Sequence, residues 1–262
     1  TRVAPDSIDI NIRVYELNQF KIGHIAIKGN TKTHERVIRR ELFTRPGDYF
    51  SRAAIIRSLR QLQVLNYFNP EKLKPDYAMV DDKTVDLAYE VEEKSSDNIN
   101  ASVGYSGAFG VTGALGFTIN NFNIADPLSG GAGQILNFEW QFGSGSRFLT
   151  FTLGFTEPWL FDTPTLIGVS LFDTRQIYTY DLQQTGGSLR VGRRFQWPDN
   201  YFRGDWILNA QHNDVRDGRG IYREGVSSQV SITQIITRNS IDNPVFPTIG
   251  SNVSLSVQVS GG

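Results

Sequence analysis

The sequence predicts a small α+β module of order β-α-α-β-β, followed by part of an antiparallel transmembrane β-barrel. Three observations carry that reading. Residues 18–94 mix strand and helix periodicities within the length of one small domain. From Asn98 onward, apolar side chains recur at every second position. About nine such two-faced stretches, each roughly ten residues long, then follow one another to Gly262.

Composition sets the outer bounds. The 262 residues carry a formal charge of -1, with 39% hydrophobic and 20% charged residues. That fits a folded protein and gives no electrostatic reason to expect nucleic acid as a partner. Cysteine is absent, which removes disulfides, thiol nucleophiles and cysteine metal sites from consideration. No apolar run reaches the ~18 residues of a membrane-spanning helix. The first residues lack the apolar segment of a signal peptide, so a mature or truncated start is expected. Low hydropathy says nothing against a barrel, because alternation hides half of the apolar residues from a sliding window.

In chain order, Ser7 to Leu17 alternates Ile8, Ile10, Ile12 and Val14 with Asp9, Asn11 and Arg13, and reads as the last strand of an upstream domain within residues 1–17. Phe20 to Gly29 is a second strand, with Ile25 and Ile27 on the face that carries Gly23. Thr33 is the expected N-cap of a short helix bearing Glu35 in its first turn and Val37, Ile38 and Leu42 on its apolar stripe. After Pro46-Gly47-Asp48, Ser51 caps a longer helix. Its Ile55, Ile56, Leu59, Leu62 and Leu65 recur at helical spacing, and Phe68-Asn69-Pro70 ends it. Leu73 to Met79 and Thr84 to Val91 complete the module as two strands joined at Asp81-Asp82-Lys83. Residues 95–97 are a polar linker.

These segments resemble a known repeat. IAIKGNTKTHERVIRREL, then PGDYF, then LRQLQVLNYF is similar to the polypeptide-transport-associated (POTRA) repeat, which implies a periplasmic arm. Residues 1–17 would then close the preceding repeat.

The barrel part, residues 98–262, opens on Asn98 to Gly107. Ile99, Ala101, Val103 and Tyr105 form one face, and Asn98, Asn100, Ser102, Gly104 and Ser106 the other, before Gly107 turns. Later strands alternate alike, for example Leu136, Phe138, Trp140 and Phe142, or Val253, Leu255, Val257 and Val259. Faces rich in Thr, Ser, Asn, Gln and Arg suit a wet lumen, whereas a soluble sandwich would bury apolar residues. Arg193 shares parity with Leu189 and Val191 and is expected near a strand end, since arginine at mid-membrane costs about 2–4 kcal/mol. Trp159, Tyr178, Tyr180, Trp197 and Tyr201 fall at strand ends, where aromatic girdles belong. A lipid-embedded sheet must close, so an open set of about nine strands reads as a fragment of a longer barrel.

GFTEPWLFDTPT and RNSIDNPVFPTIGS resemble strand-and-turn signatures of the BamA family, with Glu157, Pro158, Trp159, Arg238, Asp242, Pro247 and Gly250 as the matching positions. The resemblance implies that later strands, a lumen loop with a Val-Arg-Gly-Phe motif and a closing strand lie beyond Gly262. The turn at Asn123 to Gly133 is longer than the resemblance implies for a periplasmic hairpin.

No enzymatic constellation emerges. His24, His34 and His212 have no metal-ligand spacing, Gly104-x-x-Gly107-x-x-Gly110 precedes a strand where a phosphate loop needs a helix, and the Asp81-Asp82 and Asp214/Asp217 clusters read as solvated turns. No cofactor, metal or catalytic pair is expected. Two functions compete. In the first, an assembly factor accepts client strands at the edge formed by Asn98, Ile99, Asn100, Ala101, Ser102, Val103, Gly104, Tyr105, Ser106 and Gly107. A second edge is expected in the repeat, at Thr84, Val85, Asp86, Leu87, Ala88, Tyr89, Glu90 and Val91. In the second, a two-partner-secretion relative conducts one polypeptide through its lumen. The resemblance implies unfolded outer-membrane proteins, accessory assembly lipoproteins and outer-membrane lipid as partners. Gly104 and Gly107 either loosen the first strand or relieve crowding inside the barrel.

Overall fold

The structure, a computed structural model, describes residues 2–4, 7–8, 19–218, 220, 223–241 and 248–262. Strand β2 (Ser7–Ile8) pairs antiparallel with β1 (Arg2–Ala4); the remainder of the expected strand 7–17 lies outside the described residues. The chain then forms β3 (Lys21–Lys28), α1 (Glu35–Arg39), α2 (Arg52–Leu65), β4 (Lys74–Met79) and β5 (Thr84–Glu90). The order is β-α-α-β-β. Two units result, Thr1–Asn30 with Glu41–Glu92, and Thr31–Arg40 with Glu93–Gly262.

In the first unit, the sheet order is β3-β5-β4, with β5 parallel to β3 and antiparallel to β4. This corrects the expected role of Thr84 to Val91. That segment is the centre of the sheet, with Val85, Leu87, Ala88 and Tyr89 all buried, so its backbone is committed on both sides. Burial of Ala88 between Leu87 and Tyr89 marks a strand covered on both faces, which alternation alone had disguised. The edges are β3 and β4. One end of β3 is already occupied, since the Ile22 N–H donates to the Asp48 carbonyl (2.9 Å) and the Phe50 N–H to the Phe20 carbonyl (2.8 Å). Strand β4 is exposed along its length, and among the described residues no other strand covers its outer side.

A register shift between Ile22 and Ile25 brings both side chains into the core, each 1% exposed, where strict alternation would have buried Ile25 and Ile27. Helix α2 starts as expected, with the Ser51 hydroxyl accepting from the Ala54 N–H at 3.3 Å, and stops at Leu65 because Asn66 turns left-handed (φ 60°). Its buried face is Ile55, Ser58 and Leu62, while Ile56 is exposed. The shift centres on Ser58, whose hydroxyl accepts the Phe43 N–H (2.8 Å) and donates to the Ala54 carbonyl (2.9 Å), so a buried polar group is fully satisfied. Leu62 is wholly buried. Leu62→Ala is expected to destabilise this unit by about 2–5 kcal/mol through lost burial and a residual cavity, read as a drop in its unfolding midpoint in urea.

The second unit is a nine-stranded antiparallel sheet in sequence order. Its strands are β6 (Asn98–Ser106), β7 (Gly110–Phe122), β8 (Gln134–Gly143), β9 (Phe148–Glu157), β10 (Thr165–Ile177), β11 (Asp181–Arg194), β12 (Phe202–Asp217), β13 (Gly225–Asn239) and β14 (Asn252–Gly261). Several are longer than ten residues. Arg193 is exposed at the penultimate position of β11, where an outward arginine is tolerated. Among the described residues no helix is long and apolar enough to cross a membrane.

Candidate functional site: a tilted apolar band and a weakly paired first strand

Paired residues can be followed across the sheet row by row. The row through Ile99 passes Phe117, Phe138, Leu153, Leu171, Gly187, Ala210 and Val230 and ends at Gly261. The outward apolar run of β6 begins at Ile99, but that of β14 begins at Val253. The band thus slides by eight residues over eight strand-to-strand steps. With about 3.3 Å per residue and about 4.8 Å per strand, it crosses the strands at a slope of about 35°. That is the strand tilt of a closed membrane barrel. A sandwich core has no reason to drift in this way. The drift also explains why the row of Ala101, Leu115, Trp140 and Phe151 turns polar at Asp173, Thr185 and His212: on β10 to β12 that row has left the band.

The inner face is polar and cross-linked by hydrogen bonds, such as Ser170 to Ser188 (2.7 Å) and Gln184 to Asn213 (3.0 Å). Its one strongly charged cluster among the described residues joins Arg190 and Arg203 to the nearly buried Asp205, at 2.8 Å and 2.9 Å. All three share the parity of the polar face, but only the register brings them together.

Strand β6 has β7 on one side, and among the described residues no strand on the other. Its pairing to β7 is thin. Five consecutive pairs, Asn100↔Gly116, Ala101↔Leu115, Ser102↔Ala114, Val103↔Gly113 and Gly104↔Thr112, each contain a glycine or an alanine. Cross-strand pairs are what stabilise a sheet, at about 0.2–1 kcal/mol each relative to Ala–Ala. On the next seam, Phe142 lies over Gly113 and Trp140 faces Leu115, which fills the same deficit. Nothing in the sheet requires the first-strand glycines. A β-carbon at Gly104 would meet only the Thr112 hydroxyl, at 3.5 Å, one at Gly107 would meet nothing within 4 Å, and neither residue has a positive φ.

The strand is entered through Glu93 to Asp97. Asp97 accepts the Asn120 N–H at 2.9 Å, and the Ser96 carbonyl accepts the Asn120 side-chain amide at 2.6 Å. Glu93 gathers Thr31–Thr33: its carboxylate accepts the N–H groups of Thr31 (3.1 Å), Lys32 (2.8 Å) and Thr33 (2.6 Å). Segment 31–40 is then seated on the sheet. The His34 N–H donates to the Gly131 carbonyl (2.9 Å), and the Asn121 side chain donates to the Thr33 hydroxyl (2.8 Å). Thr33 is therefore not the helix cap; His34 occupies that position without a side-chain bond. The long turn 123–133 is explained by the same contact. Gly131 (φ 90°) and Gly133 (φ 77°) are left-handed, and β-carbons there would collide with the Lys32 carbonyl and crowd Val37 and Arg40. Sequence reading registered the length of this turn but not its purpose; the signal was its run of glycines.

Glu93 yields a pH prediction. Burial acts to raise its pKa, but hydrogen bonds from the Thr31 and Thr33 side chains and from the Thr33 and Lys32 N–H groups outweigh burial. They hold it at about 2, below the ordinary 4.5. Because the folded value is the lower one, the carboxylate's contribution is complete above pH 4.5 and is lost as pH falls from there toward about 2. The Thr31–Thr33 amide resonances are expected to shift across that window in the wild type, and to be insensitive to it in Glu93→Gln.

The signature residues are placed as follows. The Glu157 carboxylate accepts the Trp159 N–H and the Gln134 side-chain amide, both at 2.9 Å, and Arg40 lies 5.5 Å from the Trp159 ring centre. Pro158 follows Glu157 in the turn. Arg238 donates to Asp199 (3.0 Å), Ser240 (3.2 Å) and Ser251 (3.3 Å), so it ties Ser240 and Ser251 to turn 195–201. Gly250 is left-handed (φ 105°) against the Ser240 carbonyl. Asp242 and Pro247 lie outside the described residues.

A POTRA-type α+β module, a polar linker and a two-faced sheet with barrel tilt together define an outer-membrane β-barrel protein with a periplasmic repeat. The family model described as "Omp85 superfamily domain" matches residues 128–262, and the POTRA model, "Surface antigen variable number repeat", matches residues 20–94. The chain belongs to the Omp85 superfamily. It is 28% identical to outer membrane protein assembly factor BamA of Neorickettsia risticii over 98% of its own length and 34% of that protein's. The crystal structure of BamA from Haemophilus ducreyi lacking POTRA domains 1–3 superimposes with a TM-score of 0.63 at 19% identity, over 92% of this chain and 48% of that one. CdiB from Acinetobacter baumannii shares the fold at a TM-score of 0.51 and 13% identity, over 93% of this chain and 46% of that one. The chain spans about a third of the length of the BamA relative it matches in Neorickettsia risticii.

Proposed function

We propose that this chain is the strand-accepting part of an outer-membrane protein assembly factor, and that clients add their strands to the side of β6 that faces away from β7. The observation that carries the reading is the run of five pairs from Asn100↔Gly116 to Gly104↔Thr112, each with a glycine or alanine; Phe142 requires the glycine at 113, but no close neighbour requires those at 104 and 116. The backbone N–H and C=O groups on that side of β6 can pair with an incoming strand without regard to its sequence, which is what a factor with many clients needs. A thin zipper on the other side lets the receiving strand adjust. Pairing energy released by the client drives the exchange, so no nucleotide is required at the site. In the periplasm, β4 takes the role first given to Thr84 to Val91. It is the free edge of the repeat, with Tyr77 and Met79 exposed on it. Accessory lipoproteins belong to the same proposal as further partners, and outer-membrane lipid meets the tilted band.

Site-directed crosslinking from Ser102 and Tyr105 during assembly tests the site. Adducts with several different outer-membrane proteins are expected. Capture of one secreted polypeptide, with crosslinks from lumen positions such as Thr152 and none from β6, would favour the transporter reading instead.

A further inference from the structure

One side chain interrupts the tilted apolar band from within. On β13 the outward positions run Val230, Ile232, Gln234 and Ile236, and Gln234 is exposed among them. Elsewhere, polar outward residues mark where the band stops. Asp173, Thr185 and His212 end it on β10 to β12, and Arg193 closes the opposite end on β11. Gln234 marks no end. It stands level with Trp206 on β12 and Val257 on β14, and Ile236 lies beyond it toward turn 240–251. Two residues at about 3.3 Å each, inclined by about 35°, put it about 5 Å inside the band. Its outward neighbours give its amide nothing to donate to. Leu208, Ile232, Ile236, Leu255 and Val257 are hydrocarbon, and the Trp206 indole is a donor only. Lipid chains offer no acceptor either, so a glutamine amide that faces them keeps its N–H groups unsatisfied.

We propose that Gln234 is the centre of a contact between two copies of this protein within the membrane, made by the outer faces of β13 and β14. The occupant follows from the amide itself. A carboxamide carries donor and acceptor together, so two of them turned toward each other form a reciprocal pair of N–H···O bonds. A different membrane protein would have to bring a matching group to this depth, whereas a second copy brings it by symmetry. Copies inserted in the same sense are related by a two-fold axis along the membrane normal, which sets identical residues opposite one another at equal depth. The surrounding wall suits a close approach. Ile232, Ile236, Val253, Val257 and Val259 are β-branched, with few rotamers to lose, and neither strand carries an aromatic residue. This contact rests on the band lying in lipid and not on where clients bind.

Residues 1–262 contain no cysteine, which suits a crosslinking test. Ile232→Cys is made the sole cysteine of the intact protein and treated with a short bismaleimide, in outer membranes and in phosphatidylethanolamine/phosphatidylglycerol vesicles at low protein density. Expected is a covalent dimer of the protein with itself, while Leu149→Cys on the β9 wall gives only the background of random encounters. Adding Gln234→Leu to Ile232→Cys is expected to lower the dimer yield about tenfold, the effect of losing a reciprocal hydrogen-bond pair in lipid. Leucine suits a lipid-facing site, and retained heat-modifiable migration checks that the sheet still folds. Equal dimer from both cysteines, a yield unchanged by Gln234→Leu, or adducts with another protein in place of the dimer would overturn the proposal. To read the contact without a cysteine beside it, terminally dye-labelled protein is counted by photobleaching in sparse vesicles. Two steps are expected for the wild type and one for Gln234→Leu; the same count for both would overturn the proposal as well.

Discussion

Proline at Val103 is expected to abolish client assembly while the α+β unit stays folded. A proline in a strand removes one backbone donor and places its ring where the ladder bond would form. Successive residues of a strand direct their N–H groups to opposite sides, so proline at Ser102 and proline at Val103 together remove one donor toward β7 and one toward the open edge. The variant that loses the edge donor should still insert and keep its heat stability, yet lose crosslinks from Tyr105 to clients. The other should loosen β6 as well. Neither touches the Ile22, Ile25, Leu62 and Tyr89 core of the first unit. The measurement is assembly of a test barrel into vesicles, scored by its protease resistance, alongside unfolding of the first unit. Wild-type assembly by both variants would sink the idea that β6 is the receiving strand.

The second large effect runs the other way. Gly104→Thr combined with Gly116→Thr is expected to make the sheet more stable and the protein a poorer assembly factor. Each change removes glycine's backbone freedom, worth about 0.5–1 kcal/mol, and adds a cross-strand pair worth about 0.2–1 kcal/mol. Together the two sites give about 1.4–4 kcal/mol, which lowers the opened population of β6 about tenfold to several hundredfold. Space permits both. The nearest atoms to a β-carbon at Gly116 are the Phe138 carbonyl at 3.5 Å and Glu139 Cγ at 3.8 Å, ordinary contacts. A raised melting temperature with slowed assembly supports the loose zipper. A raised melting temperature with unchanged assembly would show that β6 need not loosen.

How much of this was legible in the sequence follows from the range of each interaction. Ser51 as a cap, the existence of α2 and the nine two-faced strands are local patterns, set by residues a few positions apart, and the structure keeps them, although the buried face of α2 turns from Ile56 toward Ser58. Thr33 as a cap failed because its hydroxyl is taken by Asn121, 88 positions away. The place of Thr84 to Val91 failed for a related reason. Which strand lies at an edge depends on what pairs beside it, and a parallel partner such as β3 arrives only after two helices. Ser58 was invisible as a core residue because its burial depends on the Phe43 amide that it satisfies.

By itself, the amino-acid order determined the β-α-α-β-β succession and the alternating strands that follow it; the structure places residues 31–40 with the second unit, which local pattern did not show. Period-two polarity is dictated by strand geometry, and needs no knowledge of neighbours. Tertiary structure alone decided the register, and with it the 35° drift of the apolar band, the run of side-chain-poor pairs along β6, the seat of residues 31–40 on the glycine turn, and the lumen cluster at Asp205. Each of these is a relation between residues that meet only when separate strands are aligned. A one-residue slip would leave every local pattern intact and erase them all.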